Sequence, residues 1–502
     1  MGTYLMGIDN GGTMTKASIY DLSGNEVAAH AVKADILTPK AGHYEREMEA
    51  LWQANIEAVS GAIRKGGINA REIAAISLTG HGNGLHLVDA QGLPVQNCIE
   101  SSDSRAAAYV EKWMQDGTFE KVHPKSMQIL WPALTCCMAA WMNDHRKDEM
   151  DKARWVFSVI DYIRFMLTGE PRAELTILSG SGLLNNSTGQ YDDGMLEDMG
   201  IGGIRDKLPP IARSDEICGR VHLKAAELTG LAAGTPVAAG LYDIDSAGLA
   251  VGMTDETRMN IIVGSWCNNQ FISKKPLISK EFFSTTRYAI DGYWLMLEGS
   301  PTSASNLEWF VSEFLQEEKK AAVSSGKSVY ALCNDAVDST RPEETKLVFL
   351  PFLYGSNAGP KARSVLLGME GWNKREHIIR AIYEGICFSH RSHIEKLFQY
   401  RPRPDCARIA GGAARSKPWV QMFADVLQLS MEVTAASELG TLGAAICAGV
   451  AAGLFSSYEE AVGKMVKTVG RIEPQRGNTG VYEAKYQRYL KAIKSLEGYW
   501  NE

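Results

Sequence analysis

The stretch that decides the fold is "YLMGIDNGGTMTKASIYDLSGNEVAAHAVKA", residues 4–34. Runs of β-favouring residues separated by turn signals predict a strand, a glycine turn, a second strand, the "LSGNE" turn and a third strand. The segment "EMEALWQANIEAVSGAIRKGG" (47–67) then places apolar residues on one face of a predicted helix. It is followed by the buried-looking strand "IAAISLTG" (73–80). Strands followed by strand-helix alternation predict an α/β layered domain.

The same order recurs in the second half of the chain. "MNIIVGSWCNNQFIS" (259–273) predicts a strand, a small-residue turn and a strand, and "CARIAGGAARSKPWVQMFADVL" (406–427) predicts a strand, a Gly-Gly turn and a helix. A chain of 502 residues is also too long for one ordinary core. We therefore predict a duplicated fold with two domains, 1–246 and 247–502.

Composition and charge restrict the class of protein. The chain is 45% hydrophobic and 22% charged, as in globular proteins, and its net charge of -7 comes without the clustered Lys and Arg of a nucleic-acid binder. The N-terminus has no signal-peptide pattern, and the most apolar run (440–455) is too short to span a bilayer, so it predicts a closely packed helix. Nine cysteines without a C-x-x-C pair predict reduced, buried thiols. We expect a cytoplasmic protein without a nucleic-acid or membrane partner; a homodimer is compatible with the sequence.

Three glycine turns that follow apolar strands are candidates for holding phosphate. In "GIDNGGTMTK" (7–16) the glycine amides and the hydroxyls can approach an anion, and Asp9 can hold Mg²⁺. The spacing is not that of a Walker A loop. Each turn is also explained as an ordinary hairpin turn or as the glycines that commonly end a strand. Further turns at 264–266 and 410–416 nevertheless favour a bound nucleotide. In the first turn the candidate residues besides Asp9 are Gly11, Gly12, Thr13, Thr15 and Lys16.

Several further motifs, in this order, complete a pattern that covers nearly the whole chain. They are "LTGHGNGLHLVD" (78–89), "SSDSRA" (101–106), "GLYDIDSAGLAVG" (240–252), "VFLPFLYGSNAGP" (348–360) and "ELGTLGAAICAG" (438–449). With "DNGGTMTK" they resemble the FGGY carbohydrate kinases of the actin, Hsp70 and hexokinase group. The resemblance implies an α/β fold of two ribonuclease H-like domains with a cleft between them.

The resemblance also implies an activity and roles for residues. It implies ATP-dependent, Mg²⁺-assisted phosphorylation of a sugar hydroxyl, with Asp243 as the general base and Asp9 at the metal. Locally, Asp243 is equally explained as a helix N-cap, and "SSDSR" as a solvated loop. The remaining implied contacts are His81, Asn83, Asp103 and Arg105 with Asp243 for the sugar, Gly11, Gly12, Thr13, Thr15, Lys16, Gly264 and Ser265 for the phosphates, and Gly411, Gly412 and Gln421 for the adenosine.

Departures from the family pattern narrow the substrate. Glycerol kinases carry Arg-Glu where this chain has Gly82-Asn83 and Gln where it has Ile244, so a glycerol site would lose polar contacts. Asn83 stands in place of the His of D-xylulose kinases, and "EGSPTSASNLEWF" (298–310) is similar to the L-xylulose kinase branch. We expect L-xylulose, with D-xylulose, L-ribulose, erythritol and keto-gulonate-type acids as alternatives. Met138 replaces a family Lys, which affects a local contact only.

A competing interpretation is a non-catalytic nucleotide-binding regulator of the same fold. The presence of both Asp9 and Asp243 favours the enzyme, because a regulator needs no base aimed at a hydroxyl. Asp245 projects about 200° away from Asp243 on a helix, so the two acids do not form a pair on one face, and no role follows for Asp245. His390 and His393 have helical spacing without other metal ligands and are predicted to be satisfied helix-face histidines.

Overall fold

The computed structural model describes residues 3–326, 328–356, 358–359 and 361–501. Unit 1 comprises the chain up to Thr254 together with Ile272–Met296 and Ala436–Lys467, and unit 2 comprises the rest. Two residues of the "VFLPFLYGSNAGP" motif, Asn357 and Pro360, lie outside the described residues. The domain boundary at residue 246 stays a prediction.

The helices and strands are numbered in chain order. The strands of the described chain are β1 (Tyr4–Asn10), β2 (Met14–Asp21), β3 (Glu26–Lys33), β4 (Glu45–Arg46), β5 (Ile73–Gly80), β6 (His86–Val88), β7 (Cys98–Ile99), β8 (Trp155–Phe157), β9 (Ala173–Glu174), β10 (Leu184–Asn185), β11 (Gln190–Tyr191), β12 (Ile211–Ala212), β13 (Ile217–Arg220), β14 (Pro236–Ala238), β15 (Leu241–Tyr242), β16 (Arg258–Val263), β17 (Cys267–Ser273), β18 (Ser284–Arg287), β19 (Trp294–Ser300), β20 (Val348–Leu350), β21 (Val365–Leu367), β22 (Cys406–Gly411), β23 (Ser430–Thr434) and β24 (Thr468–Ile472). The α-helices are α1 (Met48–Gly66), α2 (Ala107–Gln115), α3 (Thr118–Ser126), α4 (Thr135–His145), α5 (Lys147–Lys152), α6 (Val159–Thr168), α7 (Leu175–Ser179), α8 (Asp193–Asp198), α9 (Leu223–Thr229), α10 (Asp243–Ala250), α11 (Ser305–Phe314), α12 (Gln316–Ser324), α13 (Val329–Asp338), α14 (Arg375–Phe398), α15 (Lys417–Leu427), α16 (Leu439–Ala451), α17 (Tyr458–Met465) and α18 (Thr479–Asn501). Short 3₁₀ segments are Ala70–Glu72, Gly202–Lys207, Gly412–Arg415 and Arg476–Asn478.

The central sheet of unit 1 is built on the meander predicted from residues 4–34. β1 pairs antiparallel with β2 and β2 with β3, while β1 pairs in parallel with β5. β14 also pairs in parallel with β5, and β15 pairs in parallel with the last two residues of β5. In these ladders Asn10 and Tyr242 both lie opposite Gly80. The carboxyl ends of three strands therefore meet at one sheet edge, where α/β sheets place their ligands.

The helix predicted to follow the meander is present as α1. Its apolar face is buried in the core of unit 1, with Leu51, Trp52 and Val59 almost inaccessible. Gly67 ends the helix in the left-handed conformation at a φ of 59°, and its amide donates to the Arg64 carbonyl. The predicted helix is confirmed. Its apolar residues recur with the helical period, and the glycine that follows them is a helix stop signal.

Small residues bring α16 against both α10 and the central sheet of unit 1. A Cβ at Gly443 would overlap the Ser246 carbonyl, and a Cβ at Gly7 would overlap the Thr441 carbonyl. The Ser246 hydroxyl donates to the Gly440 carbonyl at 2.7 Å. The apolar run at 440–455 is thus the closely packed helix that its Gly and Ala content predicted.

The sheet of unit 2 repeats the strand arrangement of unit 1. β16 pairs antiparallel with β17 and parallel with β22, β22 pairs parallel with β23, and β23 pairs antiparallel with β24. The strand, turn and strand at 259–273 are those that the comparison of the two halves predicted, and the structure adds the parallel pairing with β22. The strand, Gly-Gly turn and helix of residues 406–427 are β22, a 3₁₀ turn and α15.

The predictions for the cysteines and for the two helix histidines are confirmed. All nine cysteines are free and buried, as expected. The imidazole of His390, on the long buried helix α14, is hydrogen-bonded to the Ser303 hydroxyl at 2.9 Å and to the side-chain oxygen Oδ1 of Asn269 at 2.8 Å, and His393 pairs with Glu298 at 2.9 Å. Met138 is buried in the core of unit 1. Over the described residues, no helix is both long and apolar enough to cross a membrane.

Candidate functional site

The glycine turn between β1 and β2 is an open hairpin end. The Gly11 amide donates to the Met14 carbonyl at 3.0 Å, while Gly12 and Thr13 are exposed. A Cβ at Gly12 would meet nothing within 4 Å. The backbone of this turn is therefore accessible to an anion.

The two polar residues after the turn point to different surroundings. Thr15 is fully buried, and the Arg46 guanidinium donates to its hydroxyl at 3.5 Å. Lys16 lies opposite Asp9 in the β1–β2 ladder and donates to the Glu438 carboxylate at 2.7 Å. Both side chains of that pair are about one-third exposed, at 31% and 32%. Lys16 thus keeps a charge near the turn, whereas Thr15 faces the interior.

Asp9 is the second-last residue of β1 and is half-buried, between the buried residues Ile8 and Asn10. Burial raises its pKa to about 6; Glu438 raises it further, while Lys16 and His81 oppose the rise. Among the described residues, no group donates a hydrogen bond to this carboxylate. Gly440 lies beside it, since a Cβ there would overlap the Asp9 carboxyl group. The carboxylate oxygens are therefore free to accept a cation.

Asp243 is the first residue of α10, and Tyr242 occupies the N-cap position. The structure therefore does not support the interpretation of Asp243 as only the N-cap of this helix. Its carboxyl group is half-buried, and burial together with the charge of Asp9 raises its pKa to about 7, although His81 and the Ile244 amide oppose the rise. A carboxylate with a pKa near neutrality is suited to accept a proton.

Asp245 lies two residues further along α10 in a different environment. It is fully buried, and its Oδ1 accepts the Ala289 amide at 3.0 Å. Burial and the nearby Glu174 raise its pKa well above that of an ordinary aspartate. The structure thus gives Asp245 a structural role that the sequence did not reveal, because its carboxylate binds the backbone amide of Ala289.

His81 follows the end of β5 and pairs with Glu100. His81 Nε2 and Glu100 Oε2 are 3.2 Å apart, and both residues are buried. Burial lowers the pKa of His81, but Glu100 outweighs it and the net pKa is raised. Burial likewise raises the pKa of Glu100, but His81 and Arg46 outweigh it and bring the pKa to about 2. The imidazole is therefore held near Asp243 as a hydrogen-bond donor.

Asn83 lies in the same loop with an unusual backbone conformation. Its φ is 66°, in the left-handed region where Asn is one of the few tolerated side chains. It is buried, and its Oδ1 accepts the Thr135 amide at 3.4 Å. The loop between β5 and β6 thus brings His81 and Asn83 to the edge of the sheet at which Asp9 and Asp243 lie.

Asp103 and Arg105 form a closed clamp. Asp103 Oδ1 accepts the Arg105 amide at 2.8 Å and its Nε at 2.9 Å, while Oδ2 accepts the Tyr44 amide at 2.7 Å and lies 2.9 Å from Arg105 Nη2. Arg105 also donates to Glu45 at 2.9 Å. The Asp103 side chain is 0% exposed. Its four acceptor positions are occupied by protein donors.

In unit 2 the predicted phosphate turns meet at the ends of neighbouring parallel strands. Val263, before Gly264, pairs with Gly411 in the β16–β22 ladder. The Gly264 carbonyl accepts the Ala304 amide at 2.9 Å, just before α11, and Ser265 is exposed. Gly411 has a φ of 83°, and a Cβ there would lie 2.5 Å from the Val263 carbonyl. Glycine is therefore required at this turn.

The two remaining residues proposed for adenosine lie around the same turn and helix. Gly412 begins the 3₁₀ segment and is exposed. Gln421, on α15, donates to Asp425 at 2.9 Å and to the Glu473 carbonyl at 3.0 Å. Its amide hydrogens are thus engaged within unit 2, which leaves the side-chain carbonyl as its free polar group.

Sequence reasoning missed three residues of this site. Glu100 pairs with His81, Glu438 pairs with Lys16, and Tyr242 stands directly before Asp243. Glu100 and Glu438 lie beside motifs that were recognised, yet nothing in the sequence pairs a lysine with a glutamate 422 residues away. Among the described residues, no group of three or more His, Cys, Asp or Glu forms a metal cage.

Comparisons with known proteins match both halves of the chain to one family. Residues 4–250 match the FGGY family of carbohydrate kinases, N-terminal domain, and residues 259–452 match its C-terminal domain. The chain is 35% identical over 500 residues to the L-xylulose/3-keto-L-gulonate kinase of Escherichia coli (strain K12), covering 99% of this chain and 98% of that protein. It is 34% identical to a probable L-xylulose kinase of Pasteurella multocida (strain Pm70), covering 98% and 99%.

A solved structure shows the same fold. The crystal structure of ligand-bound xylulose kinase from Lactobacillus acidophilus superposes with a TM-score of 0.89 at 21% identity, covering 99% of each chain. The predicted fold class, α/β with two domains, is therefore confirmed.

Proposed function

The chain belongs to the FGGY family of carbohydrate kinases, and from this premise we propose that its acceptor is L-xylulose, phosphorylated on the terminal hydroxyl. The enzyme is an ATP-dependent sugar kinase. Two relatives that match over nearly the full chain at 34–35% identity carry L-xylulose kinase in their names. The "HGNG" loop at 81–84, which lacks the charged pair of glycerol kinases, supports a ketose over glycerol.

The observation that carries the mechanism is the environment of Asp243. Its half-buried carboxyl group starts α10, has no side-chain donor among the described residues and has a pKa raised to about 7. We assign it the role of general base, which accepts the proton of the sugar hydroxyl as the phosphoryl group is transferred. His81, held by Glu100, is close enough to lower the pKa of Asp243 and favour its ionised form.

Asp9 fits a Mg²⁺ ligand. It is a carboxylate without hydrogen-bond donors in the described chain, and its pKa is raised to about 6. Magnesium is commonly held by one or two carboxylates together with substrate phosphates and water, and the absence of a three-residue cage among the described residues fits that mode. When bound, Mg²⁺ neutralises charge on the phosphates. Asp9 would hold it directly or through water.

The ATP contacts are assigned by exposure and backbone geometry. Gly11, Gly12 and Thr13 present the open turn of unit 1, with Lys16 supplying positive charge. Thr15 is buried and accepts a hydrogen bond from Arg46, so we assign it the role of supporting this turn from the protein interior. In unit 2 we assign Gly264 and Ser265 to phosphate, and Gly411, Gly412 and the free carbonyl of Gln421 to the adenosine.

The sugar side is assigned to the loops around Asp243. His81 and Asn83 are proposed as contacts to sugar hydroxyls, because both lie at the sheet edge that carries Asp243. Asp103 and Arg105 are proposed to act in sugar binding mainly by fixing the loop that carries Glu100. The Asp103 amide donates to the Glu100 carbonyl at 3.1 Å, and the Asp103 carboxylate has no acceptor position to spare.

A second acceptor, 3-keto-L-gulonate, is favoured by one observation. The Escherichia coli relative, 35% identical, is named for both L-xylulose and 3-keto-L-gulonate. Both are ketoses with a terminal hydroxyl, and the acid adds a carboxylate. D-xylulose, L-ribulose and erythritol remain further acceptors to be compared.

The test is a coupled assay of ADP formation with purified protein, ATP and Mg²⁺. The panel contains both enantiomers of xylulose and ribulose, the pentitols, 3-keto-L-gulonate, erythritol and glycerol. We expect L-xylulose to give the highest kcat/KM and glycerol to give no more than the rate without acceptor. A higher kcat/KM with any other acceptor would replace L-xylulose in the proposal. Removal of Mg²⁺ with a chelator should abolish turnover.

A further inference from the structure

Tyr242 stands at the junction between the central sheet of unit 1 and the helix that begins with Asp243. It is the last residue of β15, lies opposite Gly80 and occupies the N-cap position of α10. Its amide donates to the Thr176 hydroxyl at 2.9 Å, and that hydroxyl donates to Glu174 at 2.7 Å. The backbone on which the phenol ring stands is therefore fixed.

Two glycines make a slot for the Tyr242 ring. A Cβ at Gly82 would overlap the phenol oxygen and the adjacent ring carbons, and a Cβ at Gly180 would lie 2.8 Å from the ring Cε1. Gly82 belongs to the loop between His81 and Asn83, both proposed to meet the sugar. Close packing of an aromatic ring against two glycine backbones leaves it one orientation. The hydroxyl end of the ring therefore lies at that loop.

The Tyr242 hydroxyl differs from those of other buried tyrosines in unit 1. Tyr288 donates to the Met253 carbonyl at 2.8 Å, and Tyr162 donates to the Met48 carbonyl at 3.3 Å. Within the described part of the chain, no protein group is hydrogen-bonded to the Tyr242 hydroxyl. The ring is half-buried, and burial together with Asp243 and Asp245 raises the pKa of the phenol. The phenol therefore stays protonated and can donate a hydrogen bond to a ligand.

We propose that the Tyr242 hydroxyl hydrogen-bonds a hydroxyl of the sugar other than the one that is phosphorylated, and that its ring forms one wall of the acceptor site. The inference rests on the proposed function, because it takes Asp243 to face the acceptor. Tyr242 then acts as a substrate-positioning and specificity residue, and Gly82 and Gly180 are small because the ring occupies the space of their side chains.

The test compares Tyr242→Phe with Tyr288→Phe, since each removes one hydroxyl from a tyrosine of unit 1. Tyr242→Phe should raise the KM for L-xylulose by roughly tenfold, with kcat within about threefold and the KM for ATP unchanged. Tyr288→Phe removes a hydrogen bond to the Met253 carbonyl and should leave both KM values unchanged. Equal KM values for L-xylulose in Tyr242→Phe and the wild type would overturn the proposal.

A series of monodeoxy analogues of L-xylulose identifies the partner hydroxyl. In the wild type, one analogue should lose about tenfold in kcat/KM, and the same analogue should lose nothing further in Tyr242→Phe. If every analogue loses the same factor in both enzymes, the phenol meets no sugar hydroxyl. Gly82→Ala, which displaces the ring, should reproduce the KM increase of Tyr242→Phe.

Failure of this inference can be told apart from failure of the proposed function. If only the Tyr242 inference fails, L-xylulose is still phosphorylated and Asp243→Ala still loses turnover. If the proposed function fails, L-xylulose is not used or Asp243→Ala retains its rate. Should another acceptor prove best, the same comparison with its monodeoxy analogues decides the role of Tyr242.

Discussion

Two aspartates of unit 1 lie in opposite surroundings. Asp103 is inaccessible, and the amides of Tyr44 and Arg105 and the Arg105 guanidinium occupy all its acceptor positions. Asp243 is half-buried, has no side-chain donor among the described residues and has a pKa raised to about 7. Asp9 resembles Asp243, with no donor in the described chain and a pKa of about 6. An acid satisfied by its own protein holds the fold, whereas an acid left without side-chain donors is available to substrate or metal.

The largest expected effect is a loss of turnover when Asp243, the acid without side-chain donors, is replaced. Asp243→Ala should lower kcat for the best acceptor by ~10² to 10⁴ with the fold intact, because it removes the general base. The measurement is steady-state kinetics with circular dichroism as the check on folding. Asp245→Asn is the matched control on the same helix; its turnover should stay within about threefold, because Asp245 only holds the Ala289 amide. A normal rate in Asp243→Ala would remove the assignment.

Replacement of Asp103, the acid with all its acceptor positions occupied, should lower the stability of the fold. Asp103→Asn leaves the buried Arg105 guanidinium without its full partner, so the free energy of unfolding should fall by about 3 kcal/mol. Urea unfolding measures it. Asp151→Asn, in the exposed pair with Lys147, should change it by less than about 0.5 kcal/mol. If Asp103→Asn instead keeps its stability and loses only acceptor affinity, Asp103 contacts the sugar directly.

Asp9 is predicted to behave as the metal-side acid. Asp9→Asn should raise the Mg²⁺ concentration needed for half-maximal turnover by roughly tenfold to a hundredfold, because a neutral amide is a weaker ligand. Titration of turnover with Mg²⁺ at fixed ATP measures this. Asp21→Asn, at the other end of the same hairpin, loses only turn hydrogen bonds and should leave the Mg²⁺ dependence unchanged. An unchanged requirement in Asp9→Asn would place the metal elsewhere.

The smallest expected effect is on the pH dependence of stability. The pKa of Asp243 is about 7 in the folded protein against 3.8 for an ordinary aspartate, so between those values the folded state holds the proton more tightly. Stability therefore falls as pH rises through this range, and Asp243→Asn should make the fall shallower. Thermal unfolding without Mg²⁺ between pH 5 and pH 8 measures the difference. Parallel curves for wild type and variant would contradict the raised pKa.

Local signals were sufficient to predict much of the fold. The meander at 4–34, α1, β5 and the strand, Gly-Gly turn and helix at 406–427 all lie where turn residues and apolar periodicity place them. Each of these depends on residues close together in sequence. The return of Ala436–Lys467 to unit 1 depends instead on long-range packing of α16 and carries no local signal.

For the candidate site, too, the sequence indicated some residues and not others. Family motifs led to Asp9, His81, Asn83 and Asp243, which the structure brings to one sheet edge. They did not indicate that the Asp103 carboxylate is already saturated. The slot for Tyr242 was also invisible, because its walls come from Gly82 and Gly180, which are far apart in the sequence. Partners of this kind are fixed only when distant segments fold together.

The most direct measurement is the pH dependence of kcat/KM for L-xylulose in the wild type and in Asp243→Asn. A base must be ionised to work, so the wild-type value should rise with pH to a plateau with a midpoint at or below about 7, since bound Mg²⁺ lowers the pKa further. Asp243→Asn should be slow and show no such rise. A variant that keeps the wild-type rate and the same rising limb would contradict the account, because another group would then be the base.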